Sequence, residues 1–315
     1  MILKKSVLTF DIGGTKISSA IINKSGSLIN YTKKLLPKDC TPTEFKKLLN
    51  QLGDEVSTGQ TFSVIGIASA GPLDTQKGIL LKPTNLFKKQ NHGGRVDLKK
   101  SLEMHFHCNT YFENDADAQA LGEIWKGDLK YKKNFILISL GTGVGIAVVC
   151  DGKLLNVGQN LHPEFSHMPI NAFEKSKKCG CGSYGCIEAY LGGSHFVKNI
   201  SKILNDSSLY GSKIISLAEA GNKKVLKAFE EYACHMALSL RTLIMLFQPE
   251  TIVFCGSFSK CYPYFARRTL NLLKKNFKNS SGFYKVPKFT ISSHQEQMAL
   301  FGAAYSVFLK SSKKN

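Results

Sequence analysis

The chain contains the same strand-and-turn pattern twice. Residues 7–31 read as an apolar strand, a glycine-rich turn, a second strand, another turn and a third strand. Residues 135–157 repeat this order of features. Because the interval between the copies far exceeds the repeat length of solenoid proteins, the pattern predicts a duplicated domain. Helices alternating with single strands follow each copy, which predicts an α/β fold in both halves.

The duplication predicts two lobes. A length of 315 residues is enough for two hydrophobic cores. We expect an N-terminal lobe at 1–118 and a C-terminal lobe at 119–296, with the boundary near Ala118 at a predicted helix. A final helix, within 297–315, is expected to pack back on the first lobe.

Composition limits the partners that the chain is expected to have. The net charge is +19, but the lysines are scattered as doublets, which is typical of solvated surfaces rather than of a nucleic-acid-binding tract. The apolar segments are shorter than the ~20 residues that span a bilayer. The first apolar segment is also too short for a signal peptide. These features predict a cytoplasmic protein without nucleic-acid or membrane partners.

The first turn of each copy is rich in glycine. The first reads Asp11-Ile12-Gly13-Gly14-Thr15-Lys16, and the second begins with Gly141-Thr142-Gly143. Glycine turns let backbone N–H groups approach phosphates, and a carboxylate such as Asp11 can hold Mg²⁺. Neither turn has the P-loop spacing with its terminal Lys-Ser/Thr or the dinucleotide fingerprint followed by a helix, and a strand follows each of them. Either turn alone could be a plain hairpin, but the matching pair favours a nucleotide site.

Asp115 is the candidate catalytic base. It follows a predicted strand and opens a predicted helix, where a carboxylate could also serve only as an N-cap. Phosphoryl transfer to an alcohol requires a carboxylate that accepts the hydroxyl proton. Asn114 beside it offers both a donor and an acceptor, as a polyol requires.

A cysteine cluster predicts a zinc site. Cys179, Cys181 and Cys186 lie within eight residues that also contain three glycines. Structural zinc takes four thiolate or imidazole ligands, and His167 is the expected fourth. Three free thiols in a loop remain the alternative. Glu188 follows two residues after the last cysteine and would be carried to the same place.

Together these segments resemble the ROK family of sugar kinases (repressors, open reading frames and kinases), from Leu8 to about Ala304. The resemblance implies two ribonuclease-H-like lobes of the actin-like ATPase fold around a central cleft, often assembled as homodimers. It implies Asp115 as catalytic base and ATP, Mg²⁺ and Zn²⁺ as cofactors. The ATP-binding positions are then Asp11, Gly13, Gly14, Thr15, Lys16, Gly141, Thr142, Gly143 and Gly256. The positions for sugar hydroxyls are Asn85, Asn114, Glu164, His167 and Glu188, and those for zinc are His167, Cys179, Cys181 and Cys186.

The resemblance favours an ATP-dependent hexokinase that acts on the 6-hydroxyl of glucose. N-acetylmannosamine, N-acetylglucosamine and fructose remain alternative acceptors. His162-Pro163-Glu164 is similar to fructokinase-type members, whereas the cysteine loop and Glu188 are similar to glucokinases and N-acetylhexosamine kinases. Asn85 also lacks the Pro-Gly-Trp that commonly follows it in glucokinase-like members.

The family also contains sugar-responsive repressors. Here the first strand begins within ten residues of Met1, which leaves no room for a helix-turn-helix, so we disfavour that function. A catalytically dead sugar-binding module would lack Asp115 or the loop glycines, and both are present.

Overall fold

The computed structural model describes residues 6–37, 40–81, 95–155, 162–171, 173–278, 283–294 and 296–312. The chain divides into two compact units. Unit 1 comprises Met1–Tyr131, Leu154–Pro163 and Ser293–Asn315, and unit 2 comprises Lys132–Lys153 and Glu164–Ser292. Unit 1 is thus assembled from three separate stretches of chain. Ala118, where the sequence places the lobe boundary, lies within a helix of unit 1.

The main sheet of unit 1 contains the first repeat. The strands of this unit are β1 (Ser6–Ile12), β2 (Lys16–Asn23), β3 (Leu28–Leu35), β4 (Val64–Ser69), β5 (Leu73–Asp74), β6 (Ile79–Leu81), β7 (Arg95–Asp97) and β8 (Asn109–Asn114). Five of them form a sheet of order β3-β2-β1-β4-β8. β1, β4 and β8 are parallel, whereas β1, β2 and β3 are antiparallel. The carboxyl ends of β1, β4 and β8 therefore lie side by side at one edge.

The sheet of unit 2 contains the second repeat. Its strands are β9 (Phe135–Leu140), β10 (Val144–Cys150), β11 (Lys153–Leu154), β12 (Thr251–Cys255) and β13 (Lys288–Ile291), in the order β11-β10-β9-β12-β13. β10 is antiparallel to β9, and β12 is parallel to both β9 and β13. The topology matches that of the main sheet in unit 1, so the predicted duplication and α/β fold class are confirmed.

Helices cover the sheets. They are α1 (Pro42–Ser57), α2 (Leu98–Phe106), α3 (Asp115–Trp125), α4 (Ile187–Leu191), α5 (Gly193–Leu204), α6 (Gly211–Glu219), α7 (Lys223–Phe247), α8 (Tyr262–Phe277) and α9 (Met298–Ser312). A 3₁₀ turn spans Phe165–His167. Among the described residues, no helix combines the length and apolarity needed to cross a bilayer.

Local sequence explains where the main helices begin. Thr41 caps α1 through a capping box with Glu44, and Pro42 occupies the first turn, where its missing N–H costs nothing. Asn222 caps α7 by accepting from the N–H groups of Lys224 and Val225. α7 then ends at Gln248 in the left-handed conformation.

The last helix packs within unit 1. Apolar residues of α9, including Leu300, Phe301 and Val307, form one buried cluster with Val7 of β1 and Val64 of β4. α9 also lies against α3 at very short range. A Cβ placed on Gly302 would be 1.6 Å from the carbonyl oxygen of Ala118, so only glycine fits there.

Candidate active site and metal site

The first glycine turn is a tight hairpin between β1 and β2. The N–H of Gly13 donates to the carbonyl of Lys16 at 3.0 Å, which closes the turn. Leu36 fixes it from the side by donating its N–H to the carbonyl of Thr15 at 2.9 Å. The Thr15 residue itself is exposed. The hairpin thus presents Gly14 and Thr15 at its tip, as an anion-binding turn requires.

Asp11 and Asp115 are electrostatically coupled at the same edge of the sheet of unit 1. Asp11 lies near the end of β1, and Asp115 opens α3 directly after β8. The pKa of Asp11 is raised to about 7, chiefly by burial and also by the negative charge of Asp115, whereas Lys16 and Lys33 act in the opposite direction. Asp115 is therefore close enough to Asp11 for its charge to raise the pKa of Asp11.

Asn114, and not a carboxylate, caps α3. Its Oδ1 accepts from the N–H groups of Ala116 at 2.8 Å and Asp117 at 3.4 Å. The alternative that Asp115 is only an N-cap is therefore wrong. Asp115 is the first residue of the helix, and its Oδ1 accepts from the N–H of Ala116 at 2.9 Å.

A lysine pair beside the first hairpin was not anticipated from the sequence. Lys33 Nζ lies 3.2 Å from Glu296 Oε1, and Lys16 Nζ lies 3.9 Å from the same atom. Lys33 pairs with Ser18 across the strands, and Lys16 is two residues from Ser18, so both lysines point to one face. The positive charge next to Asp11 is therefore greater than the motif alone indicates.

The second glycine turn is held in place by the start of α5. The carbonyl of Gly141 accepts from the N–H of Gly193 at 3.0 Å. The carbonyl of Thr142 accepts from the N–H of Ser194 at 3.1 Å and from its hydroxyl at 2.7 Å. Gly143 accepts from the N–H of Gly141 at 3.1 Å. Nothing in the sequence pattern had singled out Ser194.

A pocket of about 730 Å³ adjoins this turn in unit 2. Its lining includes Gly141, Thr142, Ser194, Tyr210, Ser257 and Lys260. Gly256, next to the lining, has φ 84°, and a Cβ there would lie 2.4 Å from the carbonyl oxygen of Leu140. Only glycine therefore allows β12 to turn at this point. The volume suits a small organic ligand.

The four predicted metal ligands meet in unit 2. The ligand atoms of His167, Cys179, Cys181 and Cys186 all lie within 4.8 Å of one another. Cys181 Sγ is 3.7 Å from Cys186 Sγ, and Cys179 Sγ is 3.5 Å from His167 Nδ1. Zinc bonds of about 2.3 Å to sulfur and about 2.0 Å to nitrogen give tetrahedral edges of about 3.8 and 3.5 Å. The donor set and its spacing therefore fit a zinc ion.

Backbone geometry forms the loop around these ligands. The N–H of Cys179 donates to the carbonyl of Ser183 at 2.8 Å, and the N–H of Gly182 donates to the carbonyl of Cys179 at 3.1 Å. Gly182 has φ 95° and Gly185 has φ 70°, values that favour glycine. The glycines thus allow the chain to curl so that its thiols converge.

Of the predicted sugar-binding residues, His167 is also a metal ligand, and Glu164 and Glu188 adjoin the metal ligands. His167 turns Nδ1 towards Cys179 and has Nε2 3.7 Å from Glu164 Oε2. Glu188 Oε1 lies 3.6 Å from Cys179 Sγ, and Glu188 Oε2 accepts from the N–H of Val144 at 3.1 Å. Asn114 belongs to unit 1. Asn85 lies outside the described residues.

A second polar pair in unit 1 was also not anticipated as a pair. His162 Nδ1 lies 2.8 Å from Asp117 Oδ2, and both side chains are largely buried. Because Asp117 is in the first turn of α3, this contact holds His162 near the start of that helix. The sequence signal for this pair was weak, since the two residues are far apart in the chain.

Comparisons with known proteins agree with this description. A family model described as the ROK family matches residues 7–309. An N-acetyl-D-glucosamine kinase from Salmonella newport is 28% identical over 307 residues, which cover 94% of this chain and 97% of the relative.

Two solved structures share the fold. A ROK hexokinase from Thermus thermophilus superposes with a TM-score of 0.81 and 22% identity, covering 98% of this chain and 99% of that one. A ROK family glucokinase from Streptomyces griseus, in complex with glucose and AMPPNP, has a TM-score of 0.76 and 24% identity, covering 95% of this chain and 98% of that one.

Proposed function

The chain belongs to the ROK family, and from this premise we propose that it is an ATP-dependent sugar kinase. The observation that carries the proposal is the arrangement at the start of α3. Asn114 caps the helix, and Asp115 is left beside Asp11 at the sheet edge. A carboxylate next to a glycine hairpin is what phosphoryl transfer to an alcohol needs.

In the proposed reaction, Asp115 accepts the proton of the sugar hydroxyl as that oxygen attacks the γ-phosphorus of ATP. The bond from the γ-phosphorus to the bridging oxygen breaks, and ADP leaves. In unit 1 the 13–15 hairpin is the proposed phosphate-binding turn. In unit 2 the 141–143 turn is the proposed phosphate-binding turn, and the pocket that adjoins it would take the nucleoside.

Asp11 is the proposed residue for Mg²⁺. Its raised pKa reflects a buried carboxylate beside a second one, and a divalent cation would relieve that unfavourable negative charge. Magnesium, when bound with ATP, neutralises charge on the phosphates. Lys16 and Lys33 supply further positive charge on the same side.

The metal site is proposed to hold zinc in a structural role. The ligands are three cysteines and one histidine, a set that closes a tetrahedral site without an open position for catalysis. All nine cysteines are described and none of them forms a disulfide, which suits a reducing cytoplasm. Zinc bound here would hold His167 and Glu188 in place for the sugar.

Glucose is the proposed acceptor, at its 6-hydroxyl. N-acetylglucosamine is the second candidate, which the N-acetyl-D-glucosamine kinase relative favours. A coupled ADP-release assay across glucose, mannose, fructose, N-acetylglucosamine and N-acetylmannosamine tests both. The acceptor with the highest kcat/KM identifies the sugar, and no sugar-dependent ADP release with any hexose would refute the kinase proposal.

The base is tested by Asp115→Asn. We expect this variant to keep its fold and to lose turnover by a factor of about 10²–10⁴, because the amide cannot accept the hydroxyl proton. Asp151→Asn is the matched control, since Asp151 is an exposed turn residue with φ 49°, which asparagine also adopts. Turnover near the wild-type value in Asp115→Asn would exclude this carboxylate as the base.

A homodimer is the proposed assembly. Light scattering on the purified protein should give twice the chain mass of 34.8 kDa. A mass equal to one chain at micromolar concentration would contradict the dimer and leave the proposed catalytic residues unaffected.

A further inference from the structure

A short segment connects the metal ligands to the second glycine turn. Cys186, a metal ligand, is the residue immediately before α4. α4 has five residues and is followed by Gly192, whose N–H donates to the carbonyl of Glu188 at 2.8 Å. Gly193 and Ser194 follow at once and bind the carbonyls of Gly141 and Thr142. The stretch Cys186–Ser194, which we call the linking segment, is therefore anchored at both ends.

Glu188 makes a second connection through its side chain. Its Oε1 is 3.6 Å from Cys179 Sγ, and its Oε2 accepts from the N–H of Val144 at 3.1 Å. One carboxylate thus contacts both a metal ligand and the residue that follows the glycine turn. Glu188 is half-buried, which strengthens its bond to the backbone relative to one in water.

The glycine turn is shaped to receive this carboxylate. A Cβ on Gly143 would lie 2.2 Å from Glu188 Oε2, so the absence of a side chain at 143 is what allows the close approach. The side chain of Glu188 and the backbone of Gly193 and Ser194 together hold residues 141–144. Each of these holding residues belongs to the linking segment.

We propose that Glu188 is a positioning residue for the nucleotide, through which occupancy of the metal site raises nucleotide affinity. The inference rests on the proposed function, because it assumes that residues 141–144 bind the phosphates of ATP. A metal ion fixes Cys186, which directly precedes α4, and α4 contains Glu188. Cys179 would be a thiolate in the metal-bound site and would have no proton to donate to Glu188, so the connection runs through Cys186. The glycine turn is then ordered before the nucleotide binds, so binding no longer includes the entropic cost of ordering the turn.

Thermodynamic linkage makes the proposal quantitative. If metal raises nucleotide affinity by some factor, nucleotide must raise metal affinity by the same factor. Couplings of this kind are typically about 5- to 150-fold. A purely structural zinc, which only keeps unit 2 folded, would leave nucleotide affinity unchanged in a protein that stays folded, so both factors would equal one.

The first experiment measures binding of AMPPNP with Mg²⁺ by calorimetry, without sugar, to the full chain loaded with zinc and to the same protein stripped by a chelator. We expect the stripped protein to bind roughly tenfold more weakly. Competition with a chromophoric chelator should then show zinc held roughly tenfold more tightly when AMPPNP is present. Equal AMPPNP affinities at verified zinc contents of one and zero would overturn the proposal.

Variants at Glu188 give a test that does not depend on metal removal. In zinc-loaded protein, Glu188→Ala should weaken AMPPNP binding roughly tenfold, whereas Glu188→Gln, which keeps an acceptor for the N–H of Val144, should stay within about twofold of wild type. Stripping zinc from Glu188→Ala should add little further loss. Glu174→Ala is the control, because Glu174 bonds Ser176 in the same region.

The outcomes separate the two proposals. Absence of AMPPNP binding to zinc-loaded wild type would overturn the proposed function and the inference with it. Normal AMPPNP binding with no effect of Glu188→Ala would overturn the inference alone. If the stripped protein unfolds, the AMPPNP affinities of the zinc-loaded Glu188 variants still test the inference, because the zinc content of each variant is measured directly.

Discussion

Gly143 is the residue at which the second glycine turn and Glu188 meet. Alanine there would place a Cβ 2.2 Å from Glu188 Oε2, so the carboxylate must move and its bond to Val144 must break. We expect Gly143→Ala to lower the free energy of unfolding by about 1–3 kcal/mol, the usual cost of overpacking. Urea unfolding followed by circular dichroism measures this.

Gly141 provides the matched control for that substitution. A Cβ at Gly141 meets no other atom within 4 Å, although it lies in the same turn. Gly141→Ala should therefore leave the urea midpoint near that of wild type. Equal losses of stability in both variants would show that the turn backbone, rather than the contact with Glu188, determines the effect.

Some residues of the candidate sites could be predicted from the sequence, and others could not. Asp115 and the four metal ligands were predicted because short motifs contain them, and the structure does bring the metal ligands together. The lysine pair with Glu296 could not be predicted, because it depends on the register of β2 with β3 and on a residue close to the end of the chain. The contact of Glu188 with Val144 depends in the same way on tertiary packing.

At the scale of elements, α3 and α9 pack at backbone distance. A Cβ on Gly302 would lie 1.6 Å from the carbonyl oxygen of Ala118, and neither backbone can yield without separating the helices. Gly302→Ala should therefore cost about 3 kcal/mol or more of unfolding free energy. Gly211→Ala, which meets nothing within 4 Å at the start of α6, should be neutral in the same chemical denaturation series.

The metal-binding loop gives a second prediction at this scale. Cys181→Ser removes one of four ligands, so bound zinc and the melting temperature should fall together. Elemental analysis and differential scanning fluorimetry measure the two quantities. Cys234→Ser, at an exposed free thiol on α7, should change neither of them. A Cys181→Ser protein with full zinc content would contradict the assigned ligand set.

Elements with strong periodicity or clear end signals could be predicted from the sequence. The predicted helix that ends at Phe247 matches the observed α7, because Pro249 stops the helix from continuing. The predicted strand at Thr251–Cys255 matches the observed β12, because its β-branched residues favour a strand. The short strands β5 and β6 were not predicted, since two or three residues are too few to show the alternation of apolar and polar residues that indicates a strand. Their pairing is set by neighbouring structure.

For the whole molecule, the dominant property is charge. A net charge of +19 attracts anions at long range, and salt screens that attraction. We expect kcat/KM for ATP to fall at least about twofold between roughly 50 and 300 mM salt, whereas the KM for a neutral hexose should hardly change. Steady-state kinetics with each substrate varied in turn measure both. A parallel change for both substrates would indicate a general effect of salt on the enzyme instead.

The composition of unit 1 from three stretches of chain affects how the protein is made. One face of its main sheet is covered by α9, whose Leu300, Phe301 and Val307 pack against Val7 and Val64. During translation the part of that face that α9 covers stays exposed while all of unit 2 is synthesised, because α9 is made last. Exposed apolar strands promote aggregation, so we expect the nascent chain to be most prone to aggregate, and to depend most on chaperones, during that interval.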